Sequence, residues 1–227
     1  YDKLPETPLP SIDTTHIIPR DQRRISDIKR IFASAGYDEI VTWSFMDSKK
    51  AELFTTLKEE LTLQNPISSD LDYMRPNILS NLLQVANNNI NRSFHDLSLF
   101  EIGPVFEDAG DKVITNLAGI RVGSNAGKNS HGDYRAFDIF DVKADIAELL
   151  KYVGLDIDKC QIKDNAPNYW HPTRSANICL GKKILGTFGQ VHPSILKKFD
   201  IDTDVIAFEM NISSLPMGKQ KYGKKPE

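Results

Sequence analysis

Cysteine is scarce in this chain of 227 residues: Cys160 and Cys179 are the only two, and they form no Cys-x-x-Cys. A disulfide framework is not expected, and two isolated thiols suit a reducing compartment such as the cytoplasm. His16, His95, His131, His171 and His192 are scattered too widely for zinc spacing, so no metal site is expected. Long apolar runs are missing, which argues against a membrane span or a signal peptide. An excess of positive charge is missing too. The formal net charge of -3 gives no chain-wide attraction for nucleic acid, so any RNA contact would be local. The glycine-rich stretch 123–132 lacks the Gly-Lys-Ser/Thr ending of a phosphate loop and is given no nucleotide role. An initiating methionine is absent, and the chain reads as a piece of something longer.

What remains is ordinary for a globular domain, with 40% hydrophobic and 26% charged residues. Residues 1–19, with Pro5, Pro8, Pro10 and Pro19, read as an extended connector, because proline lacks an amide donor and resists helix. Residues 20–215 read as one core domain. Residues 216–227, with Lys219, Lys221, Lys224 and Lys225, read as a basic linker.

Within the core, Ile25, Ile28, Phe32 and Ala35 recur at helical spacing over 20–35, and Gly36 stops the helix. Ile31 widens the apolar arc. Arg20, Arg23, Arg24, Lys29 and Arg30 make much of the rest basic. A strand is expected over 37–45, a short helix capped by Asp47, and a short strand at 61–63. A leucine-rich helix over 78–91 follows, then strands at 97–106 and 116–122. Leu97, Leu99 and Glu101 share one face of the first of these strands; Ser98, Phe100 and Ile102 share the other. Glu101 needs a partner if buried. Asp141 is the expected cap of a helix over 142–153, with Asp145 and Glu148 on its solvated side. A short helix at 193–199, a strand at 205–210 and a helix start at 211–215 end the core. Strands of antiparallel character with interspersed helices, and no βαβ pattern, give an α+β fold: an antiparallel sheet flanked by helices.

The densest stretch is 169–193. It begins Tyr-Trp-His-Pro-Thr-Arg-Ser-Ala, turns at Gly181-Lys182 and closes on Val191-His192-Pro193. Glycine at the first central position suits a type II′ hairpin turn, and Gly186 and Gly189 imply bulging or close approach in the return strand. No nucleophile–base pair is legible here. His171 and Arg174 are read as residues that hold the 163–175 loop.

His-Pro-x-Arg-Ser-Ala with its hairpin and Gly-x-x-His-Pro resembles the bacterial phenylalanyl-tRNA synthetase beta subunit, in its class II synthetase-like core. So do Asn65-Pro66-x-Ser68, Met74-Arg75-Pro76 with the leucine-rich helix, and Leu99-Phe-Glu-Ile-Gly-x-Val-Phe106. Helix, glycine, strand at 20–45 is similar in shape to the first class II motif, without its closing proline. The resemblance covers nearly the whole chain.

It implies a synthetase-like core that has lost catalysis and supports a catalytic alpha subunit. Adenylation leans on arginines and magnesium to hold charge on the α-phosphate. Where the second motif would supply an arginine, the chain has Phe106-Glu107-Asp108. Where the third would, it has Ser213 and Ser214, and Glu209 stands in place of a glycine. The resemblance therefore implies no catalytic residue, no metal and no cofactor in this chain, with ATP and magnesium belonging to the whole enzyme. It also implies a heterotetramer with the alpha subunit and a second beta subunit, and tRNA as substrate of the whole. Ile25, Ile28, Ile31 and Phe32 are the expected interface. Arg75, Glu101, His171 and Arg174 are the expected structural residues. The rival is an active stand-alone ligase of the same fold, with Arg75, Arg121, Arg135 and Arg174 facing ATP.

Overall fold

The computed structural model describes residues 2–3, 18–110, 113–125 and 135–216. Most of the expected connector over 1–19, of the glycine-rich loop over 123–132 and of the linker over 216–227 lies outside the described residues.

The first helix, α1 (Arg20–Ser34), ends at Ala35 and Gly36, whose φ of 83° is the left-handed geometry glycine tolerates. The chain then makes a two-residue strand, β1 (Asp38–Glu39). β2 (Phe45–Met46) pairs with β3 (Tyr73–Met74) in a small separate sheet, and α2 (Ser48–Ala51) lies between them in sequence. Helix α3 (Leu79–Ile90) leads to the long strands β4 (Leu97–Val105) and β5 (Ile114–Val122). Then come α4 (Ile139–Tyr152), β6 (Gln161–Lys163), β7 (Trp170–Leu180), β8 (Lys183–Val191), α5 (Pro193–Lys198) and β9 (Val205–Asn211).

Seven strands form one sheet in the order β1-β4-β5-β9-β8-β7-β6. Every pairing is antiparallel except β1 with β4, which is parallel. Both faces are covered. On one, Ile28 and Phe32 of α1 and Ile146, Leu149 and Leu150 of α4 meet Phe100, Leu117, Ile178, Phe188 and Phe208. On the other, Leu79, Leu82, Leu83 and Ala86 of α3, with Ile195 and Leu196 of α5, meet Leu99, Ala118, Ile120, Val205 and Ala207. Burial of each large apolar side chain contributes on the order of 1.5–3 kcal/mol, so two filled faces supply a sizeable core. Phe32 stacks on Phe100 and Phe208 with centroids 5.5 and 5.2 Å apart, which fastens α1 to the sheet centre.

Several expectations change. The continuous strand over 37–45 is replaced by β1, an irregular stretch and β2, because Thr42 turns inward to a buried carboxylate and breaks the alternation. Residues 59–61 form a tight helical turn, and only Thr62 bridges to Tyr73. The cap of α4 is Asp138; Asp141 sits one turn in and completes a capping box by accepting from the Asp138 amide at 2.8 Å. Asp145 is not solvated but is drawn to Arg121 beneath the sheet face. Ile28 and Phe32 are fully buried within the chain's own core, so they have no surface to offer a partner; Ile25 and Ile31 remain partly exposed.

Candidate functional site

Glu101 lies on a sheet face, buried, and needs a partner there. The partner is Arg75, just after β3. Its Nη1 donates to Glu101 Oε1 at 2.7 Å and to Thr42 Oγ1 at 3.0 Å, and its Nε donates to the Pro104 carbonyl at 2.8 Å. Thr42 donates to the other carboxylate oxygen at 2.7 Å, and Asn81 of α3 donates to Thr42 at 2.9 Å. Both Glu101 oxygens are thus satisfied inside the protein. Gly103 leaves the room that the guanidinium occupies, since a Cβ there would overlap it.

Glu101 begins a row of residues in register across five strands. It pairs with Ala118, Ala118 with Glu209, Glu209 with Thr187, and Thr187 with Asn177. All five are buried. Thr187 donates to Asn177 Oδ1 at 2.6 Å, and Asn177 Nδ2 donates to the carbonyl and side chain of Asn165 at 3.0 Å each. The loop before β7 is therefore tied down by Asn177.

Glu209 is the member of the row without an ionic partner. The Tyr169 hydroxyl donates to its Oε2 at 3.1 Å, while Oε1 has no hydrogen-bond partner. Burial pushes its pKa up to about 7, against the Tyr169 hydroxyl and the Leu79 backbone, which pull it down.

On the opposite face, Arg121 grips Asp145 with Nε and Nη2 at 2.8 and 2.9 Å, a bidentate pair. Tyr37 donates to Asp145 at 2.6 Å, and the guanidinium lies 4.1 Å from the Tyr37 ring centroid. Burial first, then Asp145, pushes the Tyr37 pKa well up. Arg135 pairs with Asp141 at the start of α4.

The hairpin turns as expected: Gly181 has φ of 62° and Lys182 does not share it, as a type II′ turn requires. Gly189, with φ of 145°, packs its Cα against the backbone at Arg174 and Ser175, where the pairing of β7 and β8 shifts register. His171 does not join a catalytic group. Its Nδ1 accepts from the Thr173 amide at 3.3 Å, and its ring lies 6.3 Å from His192, which caps α5. Arg174 is exposed and donates to Gln190 at 3.0 Å, a single tie from β7 to β8.

One feature had no clear signal in the sequence. Val41 and Trp43 stand 85% and 64% exposed beside a groove of about 650 Å³ lined by Met46, Leu71, Asn81 and Val85. Their apolar character suggested a strand, and the irregular backbone turns them outward instead.

Comparison with known proteins decides the family. Residues 4–212 match the model for the phenylalanyl tRNA synthetase beta chain CLM domain. The chain belongs to that family. As a CLM domain it is 50% identical over 228 residues to the phenylalanine–tRNA ligase beta subunit of Rickettsia bellii, covering all of this chain and 26% of that one. It is 40% identical over 227 residues to the same subunit of Paramagnetospirillum magneticum, covering 99% of this chain and 28% of that one. The CLM domain chain thus spans about a quarter of the length of these relatives. Its fold is similar to that of a pyrrolysyl tRNA synthetase from Desulfitobacterium hafniense, with a TM-score of 0.66 at 12% identity over 94% of this chain and 76% of that chain. The architecture is therefore that of a class II synthetase. No helix among the described residues of the CLM domain is long and apolar enough to cross a membrane.

Proposed function

We propose that this chain is a non-catalytic synthetase-like module that supports a catalytic alpha subunit during phenylalanyl-tRNA formation in the cytoplasm. The observation that carries this reading is the engagement of all four candidate arginines. Arg75 is held by Glu101, Arg121 by Asp145, Arg135 by Asp141 and Arg174 by Gln190. The Arg75 and Arg121 guanidiniums, committed to internal carboxylates, are not available to a triphosphate, and the buried Glu209 carboxylate on the central strand adds no attraction for one. The two helical layers further support it, since each sheet face is filled by the chain's own side chains. These residues do not fit ATP or magnesium, and both are assigned to the partner.

The partners under this reading are the alpha subunit and a second beta subunit, with tRNA bound by the whole assembly. The partly exposed Ile25 and Ile31 of α1 are the proposed contact residues. The rival reading, an active stand-alone ligase, would need Arg174 to leave Gln190 and meet ATP. Phenylalanine-dependent ATP–pyrophosphate exchange by the purified chain separates the two. No turnover is expected; turnover that Arg174→Ala abolishes would overturn the proposal.

A further inference from the structure

Glu209 and Tyr169 come from opposite ends of the second half of the core. Glu209 stands in the middle of β9, with Ala118 of β5 on one side and Thr187 of β8 on the other. Tyr169 is the last residue before β7. Its ring meets Phe54, after α2, edge-on at 5.0 Å, and Phe54 in turn meets Phe199, after α5, at 6.1 Å. The hydroxyl-to-carboxyl bond joins the Asn177 bonds to Asn165 and the bond from the His192 amide to the Tyr169 carbonyl at 2.9 Å in tying the entrance of β7 to the sheet, with the Phe54 and Phe199 rings edge-on behind it.

The environment of that bond is poor in compensation. Glu209 Oε1 has no partner, and neither has Trp170 Nε1, one residue along from Tyr169. The other charged groups around it are already engaged. Glu101, two strands away in the same row, is paired with Arg75. Lys50 of α2 is bonded to Gln84 and lies over the Phe199 ring at 5.3 Å. From α3 come the apolar side chain of Leu79 and its backbone, which favours the charged carboxyl, from β5 Ala118, and from β8 the neutral Thr187. Tyr169 is the titratable group in contact with the carboxyl.

We propose that Glu209 and Tyr169 form a protonation-sensitive latch that closes the 164–170 segment over the sheet. With the carboxyl neutral, the site is dry and the segment is closed. When the proton leaves, part of the negative charge rests on Oε1, which has no hydrogen-bond partner, and the Tyr169 hydroxyl and the Leu79 backbone only partly offset the loss of water. That charge is relieved by admitting water, which requires Tyr169 and the segment before it to swing away. The raised pKa of Glu209, pushed to about 7 by burial, puts this change near neutrality.

The test is amide hydrogen exchange of peptides spanning 164–170 in the whole subunit assembled with its partner, at pH 6 and pH 8. After correction for the intrinsic pH dependence of exchange, protection of this segment should fall by roughly tenfold over the higher pH unit, while strands β4 and β5 stay unchanged. Glu209→Gln should abolish the pH dependence and keep the segment closed at both values. Tyr169→Phe should leave it open already at pH 6, and serves alone should the glutamine variant fail to fold. Equal protection of the unaltered subunit at the two pH values overturns the latch. So does the same pH dependence in Glu209→Gln, or full protection at pH 6 in Tyr169→Phe.

Discussion

Arg75 and Glu101 meet at 2.7 Å with side chains only 1% and 3% exposed, so this ion pair is sealed inside the protein. Such a pair is costly to break from one side, because the survivor is left charged and unpaired. Arg75→Ala should lower unfolding free energy by about 3–5 kcal/mol, read as a shift in the urea midpoint. The double change Arg75→Met with Glu101→Leu should cost far less, since no buried charge remains. A double variant as unstable as the single one would show that shape, not charge, dominates here.

Stability should also depend on pH through Glu209. Its pKa is raised from the ordinary 4.5 to about 7 in the folded protein. A raised acid favours the folded state most when protonated. Its contribution is therefore complete below about pH 4.5 and is lost as pH rises through 7, by about 3 kcal/mol in all. Glu209→Gln should flatten this slope, making the variant more stable than its parent at pH 8 and little different at pH 5. Denaturation midpoints at the two pH values read this directly, and a parent more stable than the variant at pH 8 contradicts it.

On α1, two isoleucines three residues apart should behave differently. Ile28 is fully buried, so Ile28→Asp should unfold the domain. Ile31 is partly exposed, so Ile31→Asp should leave the fold intact. In the proposed assembly it should remove the tetramer, at a cost on the order of 2–5 kcal/mol for one unpaired charge at an apolar contact. Light scattering after size exclusion of the co-expressed subunits decides it; an intact tetramer returns this face to solvent.

Gly189 offers a backbone test. Its φ of 145° is unfavourable for any side chain, and a Cβ there would run into the backbone at Arg174 and Ser175. Gly189→Ala should cost about 1–3 kcal/mol, with loss of exchange protection along β7 and β8. At Gly36, where φ is also positive but the Cβ position is open, alanine should be milder.

What was legible in the sequence was local. The stop of α1 at Gly36 and the turn at Gly181 follow from residue types within a few positions of each other. So does the alternation that put Phe100 on one face of β4 and Leu99 on the other. The misreadings involve residues whose partners lie far along the chain. Asp145 looks like an exposed helical acid until Arg121 arrives from β5, 24 residues earlier. Asp138 and Asp141 both carry the oxygen a cap of α4 needs, and only geometry shows which comes first. The interface residues were chosen by helical periodicity, which cannot distinguish a stripe facing its own sheet from one facing a neighbour. Ile28 and Phe32 belong to the first kind. The charge of Glu209 is plain in the sequence, but its bond to Tyr169 spans 40 residues and carries no signal in either segment.

The order of the strands has a consequence for how this domain is made. β9, the last strand among the described residues, lies between β5 and β8. Before residues 205–211 emerge, β4 with β5 and β7 with β8 can each pair locally, but they are two separate hairpins. Each would expose one long, unpaired edge and the apolar residues that α1, α3 and α4 later cover. Insertion of one seven-residue strand joins the hairpins, fills both edges and completes both layers at once. Folding of the centre is thus deferred until synthesis has passed it, and the chain is most exposed to misassociation during that interval.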